Sequence, residues 1–251
     1  MQPSATIPQA EQPHTTPTPS PTRMTTTPTA TAAPVALPIA TVKPSASPPV
    51  PVKGEIARGN ASTARLALTF DAGSGALATP AILAALRDKG VKSTIFLTGQ
   101  WVEKYPSPLR QMAQDGHEFG NHSYSHPDFT TLSTAEIESQ LARTENLVRA
   151  TIGGTTKPFF RPPFGARDNR VIGVVESLGY RSIYWTLDSG DWREDATPEG
   201  VFGRVTGNAS AGAIIVMHVD SQATAKCLPE LIDALRAQGY SLVELSELLA
   251  R

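Results

Sequence analysis

Residues 65–97 read RLALTFDAGSGALATPAILAALRDKGVKSTIFL, and this stretch decides the fold. Arg65–Phe70 is rich in β-forming residues and predicts a strand, and Ser93–Leu97 predicts a second strand. Pro80–Lys89, between them, has proline in its first turn and Gly90 after its end, which predicts a helix. The stretch is therefore a strand–helix–strand unit, the building block of a parallel sheet.

The same alternation continues to the C-terminus. The apolar run Ile214–Met217, bounded by Gly212 and His218, has the composition of a strand buried in a parallel sheet. The chain is therefore predicted to adopt an α/β fold with a parallel sheet or barrel. Further strands are predicted at Glu118–Gly120, Phe159–Arg161, Arg181–Trp185 and Ser241–Val243, and further helices at Pro108–Asp115, Ser133–Thr151, Asp168–Leu178 and Ala225–Gln238.

The first fifth of the chain has a different composition. More than half of the 22 prolines precede Lys53, interleaved with Thr, Ser and Ala, and this stretch contains no aromatic residue. Such a sequence cannot bury enough surface to offset the entropy of ordering it. We therefore predict a disordered, extended linker or stalk at residues 1–54 and one domain at residues 55–251, long enough for a sizeable core.

Composition also excludes several classes of protein. The formal net charge is −1 and the basic residues are spread through the domain, unlike those of a nucleic-acid binder. The sequence has no run of about 18 apolar residues, so no transmembrane helix is predicted. Cys227 is the only cysteine, permits no internal disulfide and is expected in the core.

The start of the chain and its stalk bear on localisation. Met1–Ser4 lacks the charged and apolar regions of a signal peptide. A stalk of this composition is nevertheless typical of exported proteins, so we expect an extracellular or cell-envelope protein whose leader is absent from this chain. A cytosolic protein with a disordered tail is the alternative.

Several residues suited to chemistry follow predicted strands. His122 and His126 lie four apart, a spacing that can place two imidazoles on one face of a helical turn, as zinc-type ions require. Two exposed loop histidines are the alternative interpretation. Asp71 follows the first strand and precedes Ala72-Gly73, where the glycine allows a ligand to approach closely. Asp71 is therefore a candidate base.

Other candidates lie further along the chain. His218 ends an apolar strand and suits a general acid or base, although a core histidine with a satisfied ring is the alternative. Arg161 is pinned by two following prolines and is suited to orient a carboxylate. Asp191 offers a second carboxylate beside Trp192, whereas His117 is interpreted as structural. Because barrels of this type build their active sites at the C-terminal ends of strands, we expect the candidates to meet on one rim.

Five ordered motifs resemble those of the polysaccharide deacetylase family (NodB-homology, carbohydrate esterase family 4), over nearly the whole domain. The resemblance implies a distorted (β/α) barrel and metal-assisted hydrolysis that removes acetyl groups from N-acetylated glycans, such as peptidoglycan or chitin-like polymers. It implies a divalent metal, zinc, with cobalt or nickel as alternatives, and a polysaccharide partner; we expect a monomer. The motifs are Phe70–Gly73, His122–His126, Arg161–Gly165, Asp188–Trp192 and Ile214–His218.

The resemblance also implies roles for the residues near the metal. His122 and His126 would bind the metal, and Asp71 would be the base that activates the attacking water. Arg161 would orient Asp71, and the backbone N–H of Phe164 would face the oxyanion. This chemistry is coherent, because a divalent ion lowers the pKa of water and polarises a carbonyl.

The remaining implied roles concern the leaving group and the acetyl pocket. Asp191 would orient His218, which would act as the acid that protonates the leaving amine. Trp192 and Val216 would line the pocket for the acetyl group. All these positions carry the residue types that the family pattern requires.

The first motif departs from the family pattern at Ala72. The family has two adjacent aspartates, the second being the third metal ligand, and a methyl group cannot ligate anything. Water could fill the place, Asp71 could turn to the metal, or another carboxylate such as Asp128 or Asp188 could reach in. The alternative function is therefore a catalytically lapsed carbohydrate-binding or wall-associated module on the same fold.

Overall fold

The computed structural model describes residues 54–250, and the predicted linker lies outside this range apart from Gly54. Within the range the strands are β1 (Arg65–Ala72), β2 (Thr94–Leu97), β3 (Glu118–Asn121), β4 (Phe159–Phe160), β5 (Arg181–Ser182), β6 (Leu187–Asp188), β7 (Ile214–His218) and β8 (Ser241–Leu242). The helices are α1 (Thr79–Asp88), α2 (Gly99–Lys104), α3 (Pro106–Gln114), α4 (Thr134–Ile152), α5 (Asn169–Ser177), α6 (Pro198–Asn208), α7 (Gln222–Ala237) and α8 (Leu245–Leu248).

The strands form one curled parallel sheet. Their order is β5-β4-β3-β2-β1-β7-β6, and β8 pairs with β1 outside this path. Strand β1 is central, with β2 on one side and β7 on the other, and its register places Asp71 opposite His218. Parallel strands alternating with helices in a curled sheet confirm the predicted distorted (β/α) barrel.

Side chains of β1 alternate between two environments, as expected of a strand with both faces covered. The even-numbered residues from Leu66 to Ala72 pack in the main apolar core with residues of α1 and α7. Thr69 and Asp71 lie on the other face, where both contact Arg161. The alternation therefore separates a structural face of β1 from a face that carries polar chemistry.

Most of the predicted elements are present, with some ends shifted. Strand β1 extends to Ala72, so Asp71 lies inside the strand rather than after it. The strand predicted at Arg181–Trp185 is confined to Arg181–Ser182, and the short strand β6 follows separately. Helices α2 and α6 are not predicted from the sequence, although each has an N-terminal threonine cap. Helix α2 is only six residues long, and α6 contains three glycines, so neither has a clear apolar repeat.

The start of α4 confirms the predicted capping box. The Ser133 side chain accepts from the Glu136 N–H, and the Glu136 carboxylate accepts from the Ser133 N–H at 2.8 Å. The helix ends at Gly153, which adopts a left-handed conformation with φ of 68°. Both ends of this long helix are thus fixed by local hydrogen bonds.

Two further observations concern Cys227 and the helices of residues 54–250. Cys227 is buried, as predicted for a small core residue. None of the helices in this part of the chain combines the length and the apolar character needed to cross a membrane.

His117, which is interpreted as structural, gives the fold a defined pH dependence. It is buried, and its Nδ1 accepts from the Ser93 N–H at 3.2 Å. Burial and the nearby Lys92 ammonium lower the pKa of His117 to about 4. Because the unfolded imidazole titrates near 6.5, the unfolded chain binds more protons below that pH, and stability falls as the pH falls from about 6.5 to 4.

We expect this residue to remove about 2 kcal/mol of unfolding free energy between pH 7 and pH 5. Urea unfolding at the two pH values measures the loss, with His117→Asn as the comparison because its amide oxygen can still accept from Ser93. The wild type should lose about 2 kcal/mol more than the variant on acidification. Equal losses in the two proteins would show that His117 does not titrate in this window.

Candidate active site

The predicted site residues meet at one rim of the sheet. Asp71 and His218 are paired in register on the adjacent strands β1 and β7. His122 follows β3, Arg161 follows β4 and Asp191 follows β6. Because all these strands run parallel, their C-terminal ends bring the five side chains to the same end of the barrel.

Asp71 is held by a buried arginine. Its Oδ1 accepts from Arg161 Nη1 at 2.7 Å, and Arg161 is fully buried, with its guanidinium 4.0 Å from the centre of the Phe96 ring. The other terminal nitrogen, Nη2, donates to Thr69 Oγ1 at 2.9 Å, and that hydroxyl donates to the Ile215 carbonyl oxygen at 2.7 Å. The predicted Arg161–Asp71 pair is therefore present, and Thr69 extends it.

The charge state of Asp71 follows from its neighbours. Burial raises the pKa of the carboxyl. The Arg161 guanidinium and the imidazoles of His122 and His218 lower it, and their combined effect is larger than that of burial. The pKa of Asp71 therefore lies below its ordinary value. The side chain is a carboxylate at neutral pH, the form in which it can accept a proton.

His122 and His126 converge as two metal ligands would. Their Nε2 atoms are 3.2 Å apart, and His122 Nε2 lies 3.6 Å from Asp71 Oδ2. His122 Nδ1 lies 2.8 Å from the Arg161 carbonyl oxygen, which can only accept, so Nδ1 carries the proton and Nε2 a lone pair. Two nitrogens about 2.1 Å from one tetrahedral zinc ion would be about 3.4 Å apart, close to the observed separation.

Both imidazoles are in the protonation state that metal binding needs. Burial lowers the pKa of His126 to about 3, and the neighbouring His122 adds to this effect. Burial also lowers the pKa of His122, in spite of the nearby Asp71 carboxylate. The two rings are thus neutral at pH 7 and available as ligands.

The expectation that these histidines share a helical turn is wrong. Residues 122–126 form a loop in which Ser123 has φ of 70° and His126 has φ of 59°. The His126 N–H donates to Ser123 Oγ at 2.9 Å within this loop. Left-handed backbone at residues with a Cβ is uncommon and concentrates at functional sites. The spacing of four brings the rings together through this loop conformation rather than through helical periodicity.

The structure also brings His218 and Asp191 together, the second pair that the sequence predicts. Asp191 Oδ1 accepts from His218 Nδ1 at 2.7 Å, while its Oδ2 accepts from the His218 N–H at 2.9 Å and from Thr224 Oγ1 at 2.6 Å. The Asp191 side chain is fully buried, whereas that of His218 is 31% exposed. His218 Nδ1 therefore carries a proton toward Asp191, which leaves Nε2 for chemistry.

His218 is a cation at neutral pH. Burial lowers its pKa, but the hydrogen bond and charge of Asp191, together with the charges of Asp71 and Asp188, raise it to about 8. The pKa of Asp191 is lowered in spite of its burial, chiefly by His218. The pair can therefore deliver a proton near pH 7.

Apolar residues lie around this polar rim. Phe164 is 38% exposed, has φ of 57°, and its ring centre lies 4.4 Å from that of His126. Trp192 is 43% exposed, and its Nε1 donates to the Asp188 carboxylate at 3.2 Å. Val216 is buried on β7, two residues before His218.

Neither of the other carboxylates considered as a replacement for the missing ligand reaches the histidine pair. Asp128 Oδ1 accepts from the Thr130 N–H at 2.8 Å and caps the 3-10 turn Phe129–Thr131. Asp188 Oδ1 accepts from the Gly190 N–H at 2.7 Å in addition to its bond with Trp192. Within residues 54–250, no group of three or more His, Cys, Asp or Glu side chains is arranged to hold a metal.

Ala72 is fully buried and packs in the apolar core. Its carbonyl oxygen accepts from the Thr98 N–H at 3.0 Å, which ties the end of β1 to the loop before α2. The next residue, Gly73, borders the histidine pair, because a Cβ added there would be 3.9 Å from His126 Cδ2. The carboxylate oxygen that lies beside His122 Nε2 is Asp71 Oδ2, at 3.6 Å.

Thr69 and Thr224 are supporting residues that no sequence pattern identifies. A threonine within a strand is indistinguishable from an ordinary β-forming residue, which conceals Thr69. Thr224 lies in the first turn of α7, capped by Ser221. The predicted start of this helix, Ala225, is three residues late, so Thr224 was not expected beside the site.

The fold and the site together define a class of protein. A curled parallel β/α sheet with an ionised carboxylate, a His–Asp pair and two converging neutral imidazoles on one rim has the groups that a hydrolase uses. The sequence profile described as polysaccharide deacetylase matches residues 58–183. The chain belongs to the polysaccharide deacetylase family, as its five motifs predict.

Relatives of known name support the same assignment. A peptidoglycan-N-acetylglucosamine deacetylase of Listeria monocytogenes is 36% identical over 73% of this chain, which spans only 38% of that protein. A chitooligosaccharide deacetylase of Azorhizobium caulinodans is 31% identical over 76% of this chain and 97% of its own length. The predicted enzyme class, polysaccharide deacetylase, is thus the class of its relatives.

A solved structure adds a contrasting relative. The pseudoenzyme of carbohydrate esterase family 4 from Bacillus anthracis is 33% identical, with a TM-score of 0.75, and the match covers 78% of this chain and 69% of that one. A mutant of the same pseudoenzyme with restored enzymatic activity has also been solved. The family around this chain thus includes both working and lapsed enzymes.

Proposed function

We propose that this protein is a deacetylase that hydrolyses the acetamido groups of an N-acetylated glycan, with peptidoglycan or chitin-type oligomers as the substrate class. The observation that carries the proposal is the register of β1 and β7, which pairs Asp71 with His218 on the rim beside the two histidines. Relatives named as peptidoglycan and chitooligosaccharide deacetylases support the substrate class.

The chain's own residues account for the proton transfers. Asp71 accepts a proton from the attacking water, and Arg161 keeps this carboxylate ionised and oriented. His218 donates its Nε2 proton to the leaving amine, while Asp191 holds the ring and stabilises its positive charge. Water adds to the acetyl carbon and the C–N bond breaks, so the products are acetate and the amino sugar.

Three residues are proposed to hold the acetyl group. The Phe164 backbone N–H faces the oxyanion, and the left-handed conformation of this residue sets the direction of its backbone. The exposed Trp192 ring and Val216, on the same strand as His218, line the acetyl pocket.

His122 and His126 would hold a divalent ion, zinc, with cobalt or nickel as alternatives, because their neutral Nε2 atoms converge. When bound, the ion polarises the acetyl carbonyl and lowers the pKa of water. The fit is incomplete, since Ala72 offers no ligand and Asp71 Oδ2 is the nearest carboxylate oxygen to His122. We therefore propose a metal site of two imidazoles, with weaker affinity than a three-ligand site.

The second candidate function is a lapsed enzyme that binds glycan without cleaving it. Ala72 favours this alternative, and so does the similarity to a pseudoenzyme of the same family. The intact Asp71–Arg161 and Asp191–His218 pairs favour the active enzyme, because a binding module has no need of a tuned acid and base.

We also propose a location and an organisation. The domain acts as a monomer outside the cytoplasm, carried by the linker at residues 1–54. Relatives named for peptidoglycan deacetylation support the cell envelope as the place of action.

Acetate release from a panel of polymers tests the substrate class. Peptidoglycan, chitin oligomers and poly-N-acetylglucosamine carry N-acetyl groups, whereas acetylated xylan carries O-acetyl esters. We expect acetate from at least one N-acetylated polymer, together with new free amines on the glycan. Release from xylan alone would refute the assignment to amide hydrolysis.

The raised pKa of His218 predicts the alkaline limb of the pH–rate profile. Because the acid must be protonated, kcat/KM should fall as the pH rises through about 8. The lowered pKa of Asp71 keeps the base ionised, so the rate should hold on the acid side of neutrality. Acetate release measured from pH 5 to 10 gives the profile. If His218→Gln retained the same alkaline limb, another group would be responsible for it.

A further inference from the structure

The loop at residues 122–126, which carries His122 and His126, is hydrogen-bonded to side chains on one face of α4. Gln140 Oε1 accepts from the Tyr124 N–H at 2.8 Å and from the Ser125 N–H at 2.9 Å, and its Nε2 donates to Ser125 Oγ at 2.9 Å. Thr144 Oγ1 donates to the Ser123 carbonyl oxygen at 2.8 Å. Gln140 and Thr144 are four residues apart and therefore lie on the same side of the helix.

These contacts stabilise a backbone that the loop residues do not favour by themselves. Ser123 and His126 both have left-handed φ angles, which residues with a Cβ rarely adopt. The side chain of Gln140 satisfies two successive N–H groups between them. The hydrogen bonds of Gln140 thus stabilise a loop conformation in which His126 lies beside His122.

Helix α4 is a rigid support for these hydrogen bonds. Ser133 and Glu136 cap its N-terminus, and Ile137, Leu141 and Val148 are buried in the apolar core. Gln140 therefore projects from a fixed backbone, and its three hydrogen bonds position the loop from outside. Groups that orient ligands in this way affect metal affinity without touching the metal.

We propose that Gln140 and Thr144 are positioning residues, which hold residues 123–126 so that the two imidazoles converge. The inference rests on the proposed metal site of His122 and His126. It adds a part of the site that lies on α4, outside the five motifs that identify the family. Neither residue belongs to the acid–base machinery.

Three variants test the proposal. Gln140→Leu keeps the volume but loses all three bonds, whereas Gln140→Glu retains an oxygen that can accept from both N–H groups. Glu138→Leu places the same leucine at an exposed position of the same helix and is the matched control. Zinc alone is titrated into each chelator-stripped full-length protein. We expect Gln140→Leu to raise the Kd for zinc by about 10-fold or more, and the other two to stay near wild type.

A second readout does not depend on the metal. The amides of Tyr124 and Ser125 should exchange with deuterium faster in stripped Gln140→Leu than in wild type, and no faster in Glu138→Leu. Faster exchange with unchanged zinc affinity would overturn the positioning role, and so would unchanged exchange. If the wild type binds no zinc, the metal site of the proposed function fails and the exchange rates alone decide whether Gln140 holds the loop.

Discussion

Asp71→Asn and His218→Ala should each lower the turnover of acetate release by roughly 10²–10⁴-fold, the usual scale for loss of a general base or acid. The amide that replaces the Asp71 carboxylate cannot take the proton of water, and a protein without the His218 imidazole cannot protonate the leaving amine. Both residues lie on the rim and are paired in register, so the two losses act on one reaction. Turnover with a saturating chitin oligomer measures them.

Controls separate this result from misfolding. The amide side chain in Asp71→Asn still offers an oxygen to Arg161, and His218 is 31% exposed, so both variants should fold. Two control variants remove a carboxylate and an imidazole at positions outside the rim. They are Asp195→Asn on the surface and His117→Asn at the structural histidine. A variant of Asp71 or His218 with near-normal turnover would remove that residue from the mechanism.

Ala72→Asp should have the second largest effect, on metal binding. The new carboxylate restores the ligand that the family pattern contains, so zinc should bind more tightly than to the two imidazoles alone. Activity should rise with it if Asp71 is then left free to act as base. Isothermal titration of zinc into stripped wild type, Ala72→Asp and His122→Ala measures the affinities.

Because Ala72 is buried, the Ala72→Asp substitution should also change the melting temperature. A carboxylate placed in the apolar core without a cation is costly, so stripped Ala72→Asp should melt below wild type. Zinc should then raise its Tm more than that of the wild type. The neutral Ala72→Asn variant controls for size, and Gly73→Asp tests the neighbouring position, where an added Cβ would lie 3.9 Å from His126 Cδ2. Zinc affinity equal to that of wild type in Ala72→Asp would contradict a ligand role for position 72.

Much of the fold could be predicted from the sequence because its signals are local. The apolar run Ile214–Met217 and the capping box at Ser133 each identify an element without reference to the rest of the chain. The meeting of the site residues on one rim could also be predicted, because the C-terminal ends of parallel strands lie on the same side of the sheet. What remained hidden depends on contacts between distant residues, such as the bond from Arg161 to Thr69.

His122 and His126 lie side by side, as their spacing predicts, but the backbone between them is not helical. The spacing of His122 and His126 predicted convergence through a helical turn, whereas the structure achieves it with left-handed backbone at Ser123 and His126. That conformation depends on Gln140, which lies on another element, the helix α4. No local pattern reports such support, so the sequence indicated the ligand pair but not the way in which it is held.

The metal dependence of acetate release shows whether a divalent ion takes part in the hydrolysis. Purified wild-type protein is stripped with a chelator and assayed on a chitin oligomer and on peptidoglycan, before and after zinc, cobalt or nickel is restored. The account predicts little acetate from the stripped protein and release that returns with metal, because the polarising ion and the Asp71–His218 pair act on the same amide. Full-rate release by the stripped protein would contradict the metal-assisted mechanism. No release with any metal, from a protein whose Ala72→Asp variant is active, would identify the natural chain as a lapsed enzyme.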